Sequence, residues 1–112
     1  MEMISIESQA EHNALVKFIT STDKFSNATR FWLGASDLAE EGTYTWVSSG
    51  RLVTFTNWAA HEPNNVNNTE HCVEIIHNTY INQIWQWNDN ECRSFVSYFI
   101  CGSVEKQCID NF

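Results

Sequence analysis

Asn57-Trp58-Ala59-Ala60-His61-Glu62-Pro63-Asn64-Asn65-Val66-Asn67-Asn68-Thr69-Glu70 shows neither the alternation of a strand nor the 3.6-residue period of a helix. The stretch is rich in asparagine and holds the one proline of the chain, Pro63. A long segment of this kind between regular elements is either functional or disordered. Its chemistry is oxygen: Glu62, Asn64 and Glu70 fall within nine residues. Asn88 and Asp89, between Trp87 and Cys92, form a second oxygen-bearing group. Calcium takes roughly six to eight oxygen ligands from carboxylates, amide carbonyls and water. Three carboxylates and two amides more than balance a doubly charged ion. Taken singly, each of these side chains is an ordinary solvated loop residue.

Working outward, regular elements flank the loop on both sides. Ser8-Gln9-Ala10-Glu11 is a capping box, in which Ser8 and Glu11 can satisfy each other's backbone donors. Ala14, Leu15, Phe18 and Ile19 follow at helical spacing and predict a helix over about residues 8–20. Phe31-Trp32-Leu33, closed by Gly34, reads as a buried strand, and Tyr44-Thr45-Trp46 as a short one. Cys72 to Ile76, Ile84 to Trp87 and Tyr98 to Cys101 read as further strands. Residues 103–112 read as a polar tail, so the domain is expected to span residues 1–102. One helix in front of several short strands favours an α+β class over a doubly wound sheet. Trp32, Trp46, Trp58 and Trp87 are expected in the core because indoles bury large area. His12, His61 and His77 read as surface residues.

The 112 residues fit one domain with one modest core. Fourteen Asp and Glu against six Lys and Arg give a formal net charge of −8. Such a surface repels phosphate backbones and anionic membranes, so nucleic acid and membrane insertion are not expected. No stretch approaches the roughly 20 apolar residues of a membrane span. The start, Met1-Glu2-Met3-Ile4-Ser5, has neither a basic leader nor an apolar run, so no secretory signal is expected in it. Cys72, Cys92, Cys101 and Cys108 allow three complete pairings, and spacing alone does not choose among them. Were Cys72 to pair with Cys92, the two oxygen-bearing groups would be tied together, at a gain of roughly 3 kcal/mol on the chain-entropy model. Two sequons, Asn27-Ala28-Thr29 and Asn67-Asn68-Thr69, lean with the cysteines toward an oxidising, extracellular compartment. There is no Gly-x-Ser-x-Gly, no His-Glu-x-x-His and no phosphate loop, so no enzyme is expected. Paired carboxylates can cleave glycosides, but a carboxylate committed to calcium is a poor proton shuttle. His71 beside Cys72 is a weak zinc signal, because a disulfide removes the thiol.

Glu62-Pro63-Asn64, Glu70, Cys72, then Trp87-Asn88-Asp89 and Cys92 together resemble the C-type lectin domain. Ile6-Glu7-Ser8 with Glu11, Trp32-Leu33-Gly34, Asn57-Trp58 and Phe99-Ile100-Cys101 extend the resemblance over about residues 3–102. It implies the C-type lectin fold, with short antiparallel strands, one retained helix and a long calcium-binding loop region. It also implies that Glu62, Asn64, Glu70, Asn88 and Asp89 surround a principal calcium. Two neighbouring sugar hydroxyls complete that shell, contacted by Glu62, Asn64, Glu70 and Asn88. Each hydroxyl offers lone pairs to the ion and a donor amide, and a proton to a carboxylate, and such charge-assisted bonds are strong. The family places a cis peptide before the motif proline, turning Glu62 and Asn64 toward the ion. The order Glu-Pro-Asn accompanies mannose, fucose, glucose and N-acetylglucosamine, whereas Gln-Pro-Asp accompanies galactose.

The resemblance carries further expectations. Cys72 and Cys92 are expected to form a disulfide. Asp37 and Glu41, with Glu70 and by position Asn65, match an auxiliary calcium; His71 stands where an acidic ligand is common, which weakens such a site. The usual N-terminal strand and first helix are missing, so Cys101 lacks its family partner and Cys108 is the nearest substitute. A glycan on Asn67 would crowd the sugar site and is expected to be unused or directed away. The expected function is calcium-dependent binding of mannose-type glycans or glycoproteins, as in recognition of microbial surfaces. The alternative is a protein-binding domain of the same fold with structural or no calcium. Single sites of this kind bind weakly, so clustering would matter, and the chain carries no coiled-coil neck to provide it.

Overall fold

The first regular element is the helix α1 (Gln9–Thr20), in a computed structural model that describes residues 4–21, 23–25, 29–94, 96, 98–102 and 107–111. Ser8 caps it, its Oγ accepting from Glu11 N at 3.1 Å. Glu11 reaches one residue beyond a closed capping box, its Oε2 accepting from Glu7 N at 2.7 Å. The helix buries His12, Leu15 and Ile19, while Ala14 and Phe18 on the same apolar period lie exposed. His12 is therefore a core residue, not a surface one. It lies 6.2 Å from the Trp87 ring and 6.3 Å from Phe55, with Asn57 Nδ2 at 3.1 Å from its Nε2. Burial lowers its pKa and keeps the imidazole neutral, against a raising backbone hydrogen bond from Trp85.

Six strands follow: β1 (Arg30–Ser36), β2 (Thr45–Trp46), β3 (Cys72–Asn78), β4 (Gln83–Asn90), β5 (Tyr98–Gly102) and β6 (Gln107–Asn111). Their order across the sheet is β4-β3-β1-β5-β6, with β2 paired to β1. All pairings are antiparallel except β1 with β5. One helix over short, mostly antiparallel strands makes the fold α+β, as expected. The register between β1 and β3 slips between Trp32 and Ser36, and Gly34 sits in the slip with φ 82°, where a side chain would be strained.

The segment read as a polar tail contains a strand. Gln107–Asn111 pair with β5 residue for residue, from Tyr98 opposite Asn111 to Gly102 opposite Gln107. Periodicity misses such a strand because backbone groups, not apolar side chains, carry the pairing that covers the edge of β5. Cys101 stands opposite Cys108 in this ladder and is disulfide-bonded. The sequon asparagine Asn27 lies outside the described residues.

Trp87 is the hub of the core. It is fully buried, and Trp46, Phe55 and Trp58 meet its ring edge-to-face at 6.0, 5.8 and 6.0 Å. Trp32 and Trp46 are buried as expected, and Trp58 packs against the cluster half-buried. The backbone of Trp87 also stitches the long loop to the sheet. Its N–H donates to Asn57 O at 2.8 Å, and its carbonyl accepts from Ala59 N at 2.8 Å. The root of the loop is thereby fixed beside the residue that precedes Asn88 and Asp89.

Candidate cation-binding loop face

Past this root, the chain follows a path that most residues disfavour. His61, Asn65, Asn67 and Asn68 have φ of 68°, 44°, 57° and 60°. Asparagine is the non-glycine residue that tolerates this left-handed region best. The asparagines that hide the segment from periodicity are thus what its path requires. The Glu62–Pro63 peptide is cis, as the resemblance implies.

Asp89, fully buried, anchors the turn: Oδ1 accepts from Asn64 N at 3.1 Å and Oδ2 from Asn65 N at 2.6 Å. Glu70 closes the far side, with Oε1 accepting from Val66 N at 3.2 Å and its own N–H donating to Asn65 Oδ1 at 3.1 Å. The disulfide Cys72–Cys92, with Cα atoms 5.1 Å apart, clasps the start of β3 to the residues after β4. Two stretches separated in sequence are thus joined by three devices: the Trp87 backbone, Asp89 and the disulfide.

The joined surface is electrostatically frustrated. The Glu62 carboxyl is pushed up to about 7, first by burial, then by its hydrogen-bonding contact with Asp89 and the charges of Asp89 and Glu70; the backbone of Asn64 opposes this. Two ionised carboxylates cannot bond to each other without a proton, and Glu62 Oε1 is buried with no partner. The other oxygen, Oε2, accepts weakly from Asn64 Nδ2 at 3.4 Å. Glu70 is also raised, chiefly by burial, with Val66 N–H opposing and Asp89 adding to the rise. Even so, three carboxylate or imidazole donor atoms come within 4.8 Å of one another, among the described residues, at Asp37, Glu41 and His71, and not at Glu62, Glu70 and Asp89.

Asn88 has a partner that sequence reading missed. It stands opposite Glu74 in the β3–β4 register, and its Nδ2 donates to Glu74 Oε2 at 2.8 Å. Glu74 is fully buried, with Asn90 Nδ2 at 3.3 Å and Arg30 Nε at 3.8 Å from Oε1. Burial raises its pKa, opposed by Asn88, Arg30 and Asn90. The available signal was a carboxylate set between Val73 and Ile75 in an otherwise apolar strand. An amide whose nitrogen is held by Glu74 turns its oxygen the other way.

The expected auxiliary ligands divide. Asp37, nearly fully buried, and Glu41 meet His71: its Nδ1 lies 3.0 Å from Asp37 Oδ1 and 3.2 Å from Glu41 Oε1. Tyr44 joins from the side; burial, then the charges of Asp37, Asp89 and Glu41, hold its phenol protonated far above the usual range. The side-chain oxygen of Asn65, the remaining expected auxiliary ligand, accepts from Glu70 N at 3.1 Å. Asn67 is exposed at the outer turn.

Comparison with known proteins bears on the family and the fold. The family model described as the lectin C-type domain matches residues 2–103. C-type lectin mosGCTL-7 of Aedes aegypti is 62% identical over 112 residues, covering 100% of this chain and 73% of that protein. The low affinity immunoglobulin epsilon Fc receptor of Mus musculus is 35% identical over 99 residues, covering 88% of this chain and 26% of the receptor. Among solved structures, C-type lectin CEL-I from Cucumaria echinata superposes with a TM-score of 0.67 at 28% identity, covering 96% of this chain. The chain spans 63% of that lectin's length.

Proposed function

The chain belongs to the C-type lectin domain family, whose domains are typically non-catalytic carbohydrate-binding modules, and from that premise we propose calcium-dependent binding of mannose-type glycans at the loop face. Glu62, Asn64, Glu70, Asn88 and Asp89 are the proposed ligands. The observation that carries the reading is the Glu62 carboxyl: an unpartnered buried oxygen beside two further carboxylates. A hard divalent cation relieves that arrangement, and carboxylate with amide oxygens is the donor set it takes. A bound ion would supply charge neutralisation and open positions for paired sugar hydroxyls. The chain's own part is to hold the donors in place through Trp87, Asp89 and the disulfide, and to offer Asn64 and Glu62 as amide donor and carboxylate acceptor. The Glu-Pro-Asn order supports mannose, fucose or N-acetylglucosamine over galactose. The proposed recognition unit is residues 1–102, with β6 added at its edge.

A second reading has specific support and is the one the comparisons favour: a protein-binding domain with calcium structural or absent. Asn88 Nδ2 gives one of its two hydrogens to Glu74, leaving a single one for a sugar hydroxyl. A receptor for an immunoglobulin is among the relatives, by its name. For either reading an extracellular setting is proposed, since disulfides persist in oxidising compartments. No helix among the described residues is long and apolar enough to cross a membrane.

Passing the chain over mannose-agarose with calcium, followed by a chelator, tests the proposal. Retention and chelator release support the sugar reading. Flow-through with normal calcium affinity supports the second reading, and absence of calcium uptake sinks the first outright.

A further inference from the structure

We propose that Glu74 is a positioning residue, which decides whether Asn88 presents its oxygen or its nitrogen to a bound cation. This role rests on the calcium reading of the loop face and adds to it a residue outside the five proposed ligands. Val73 and Ile75, on either side of Glu74, belong to the core. Successive residues of a strand face opposite ways, so Glu74 lies on the other face of the sheet. The register sets Asn88 opposite Glu74 and Asn90 opposite Cys72, which places both amides on that same face. A fully buried carboxyl is costly unless its oxygens have partners. An apolar residue would serve the strand without that cost, and the partners Glu74 gains lead to the loop face.

The orientation is fixed from the far end of the chain of contacts. Asn90 Oδ1 accepts from Glu91 N at 2.8 Å and from Ser94 Oγ at 3.0 Å. A backbone N–H only donates, so the oxygen of Asn90 is committed there and its nitrogen faces Glu74 Oε1 at 3.3 Å. Arg30 Nε stands 3.8 Å from the same oxygen. Oε2 is left for Asn88, whose Nδ2 lies 2.8 Å away. Asn88 is thereby held with its nitrogen toward Glu74 and its oxygen, the atom calcium takes, turned away. Glu62, Glu70 and Asp89 offer oxygen whichever way they turn, but an amide does so in only one of its two orientations. Partners behind metal ligands commonly fix them in this way.

Calorimetric titration with calcium of the unmodified chain, Glu74→Gln, Asn88→Ala and the double variant tests it. Glutamine matches glutamate in size, but Asn90 and Arg30 claim its one oxygen. Its NH2 then meets Asn88 and turns that amide over, aiming nitrogen at the ion. Glu74→Gln should therefore lower calcium affinity about tenfold or more. In the Asn88→Ala background the same change should alter affinity less than about twofold, because no amide remains to turn. A merely structural role would weaken both backgrounds alike. In chelator, NMR of the unmodified chain should show one of the two Asn88 Nδ2 protons protected from solvent exchange. That measurement needs neither ion nor variant, and it decides the matter if Glu74→Gln does not fold. Three outcomes overturn the proposal: unchanged calcium affinity in Glu74→Gln, an equal loss in the Asn88→Ala background, or two unprotected Asn88 protons. A chain with no calcium uptake at all would overturn the loop-face reading, and this role with it.

Discussion

Replacing Glu62 with glutamine should stabilise the metal-free chain and weaken the calcium-bound one. The Glu62 carboxyl is raised from 4.5 to about 7, so its contribution to folding is fully present below the lower value and is lost as pH rises through the higher. At ~1.4 kcal/mol per tenfold change in proton affinity, the whole displacement corresponds to about 3 kcal/mol. The carboxyl is partly exposed, and solvent screening reduces this to about 1 kcal/mol. Glutamine cannot ionise, and its amide can donate to Asp89 where the carboxylate is repelled. With a chelator near pH 8, Glu62→Gln should therefore melt roughly 4–8 °C higher than the unmodified chain by circular dichroism. Near pH 5 the gap should nearly close, because Glu62 is then mostly protonated. Calcium should reverse the order: about 2.7 kcal/mol accrues to the unmodified chain at a hundredfold excess over Kd, and less to the variant. A variant that melts below the unmodified chain in chelator near pH 8 would refute the claim that these carboxylates repel one another.

Asn64→Asp should reduce mannose retention and, because it sets a further carboxylate where the amide nitrogen lies 3.4 Å from Glu62 Oε2, should melt below the unmodified chain in chelator near pH 8 by circular dichroism. Acid should release the sugar: protons compete with the ion for the carboxylates of Glu62 and Glu70, both raised in the metal-free chain, and the ion loses its ligands; retention near pH 4 in column elution would contradict the mechanism. Changing Cys72 and Cys92 together to serine frees a segment of sequence separation 20 and should cost about 3 kcal/mol in urea unfolding.

Much of this molecule is legible before its coordinates. The cap at Ser8, the strands through Trp32, Trp46, Ile75 and Trp87, and the buried indoles follow from spacing and residue type, because each rests on local geometry or sheer apolar volume. β6 is not legible, since Gln107–Asn111 is placed by the ladder it meets and not by its own pattern. His12 deceives for a related reason: only the tertiary fold brings Asn57, Phe55 and Trp87 around it. At the loop face, sequence supplies the five oxygen-bearing residues but not their supports. The clasp of Asp89 on two backbone amides and the hold of Glu74 on Asn88 arise from register, which no motif records. The pairing of His71 with Asp37 and Glu41 likewise appears only when two loops fold side by side.

The two backbone bonds of Trp87 have a dynamic consequence. Both its amide and its carbonyl are committed to Asn57 and Ala59, so the base of the recognition loop can part from the sheet only by disturbing a fully enclosed indole. Deuterium uptake at Ala59 should therefore be as slow as at the central strands, while amides near the exposed Asn67 exchange within the dead time. Ligand capture would then proceed by local adjustment of an outer rim on an immobile hinge.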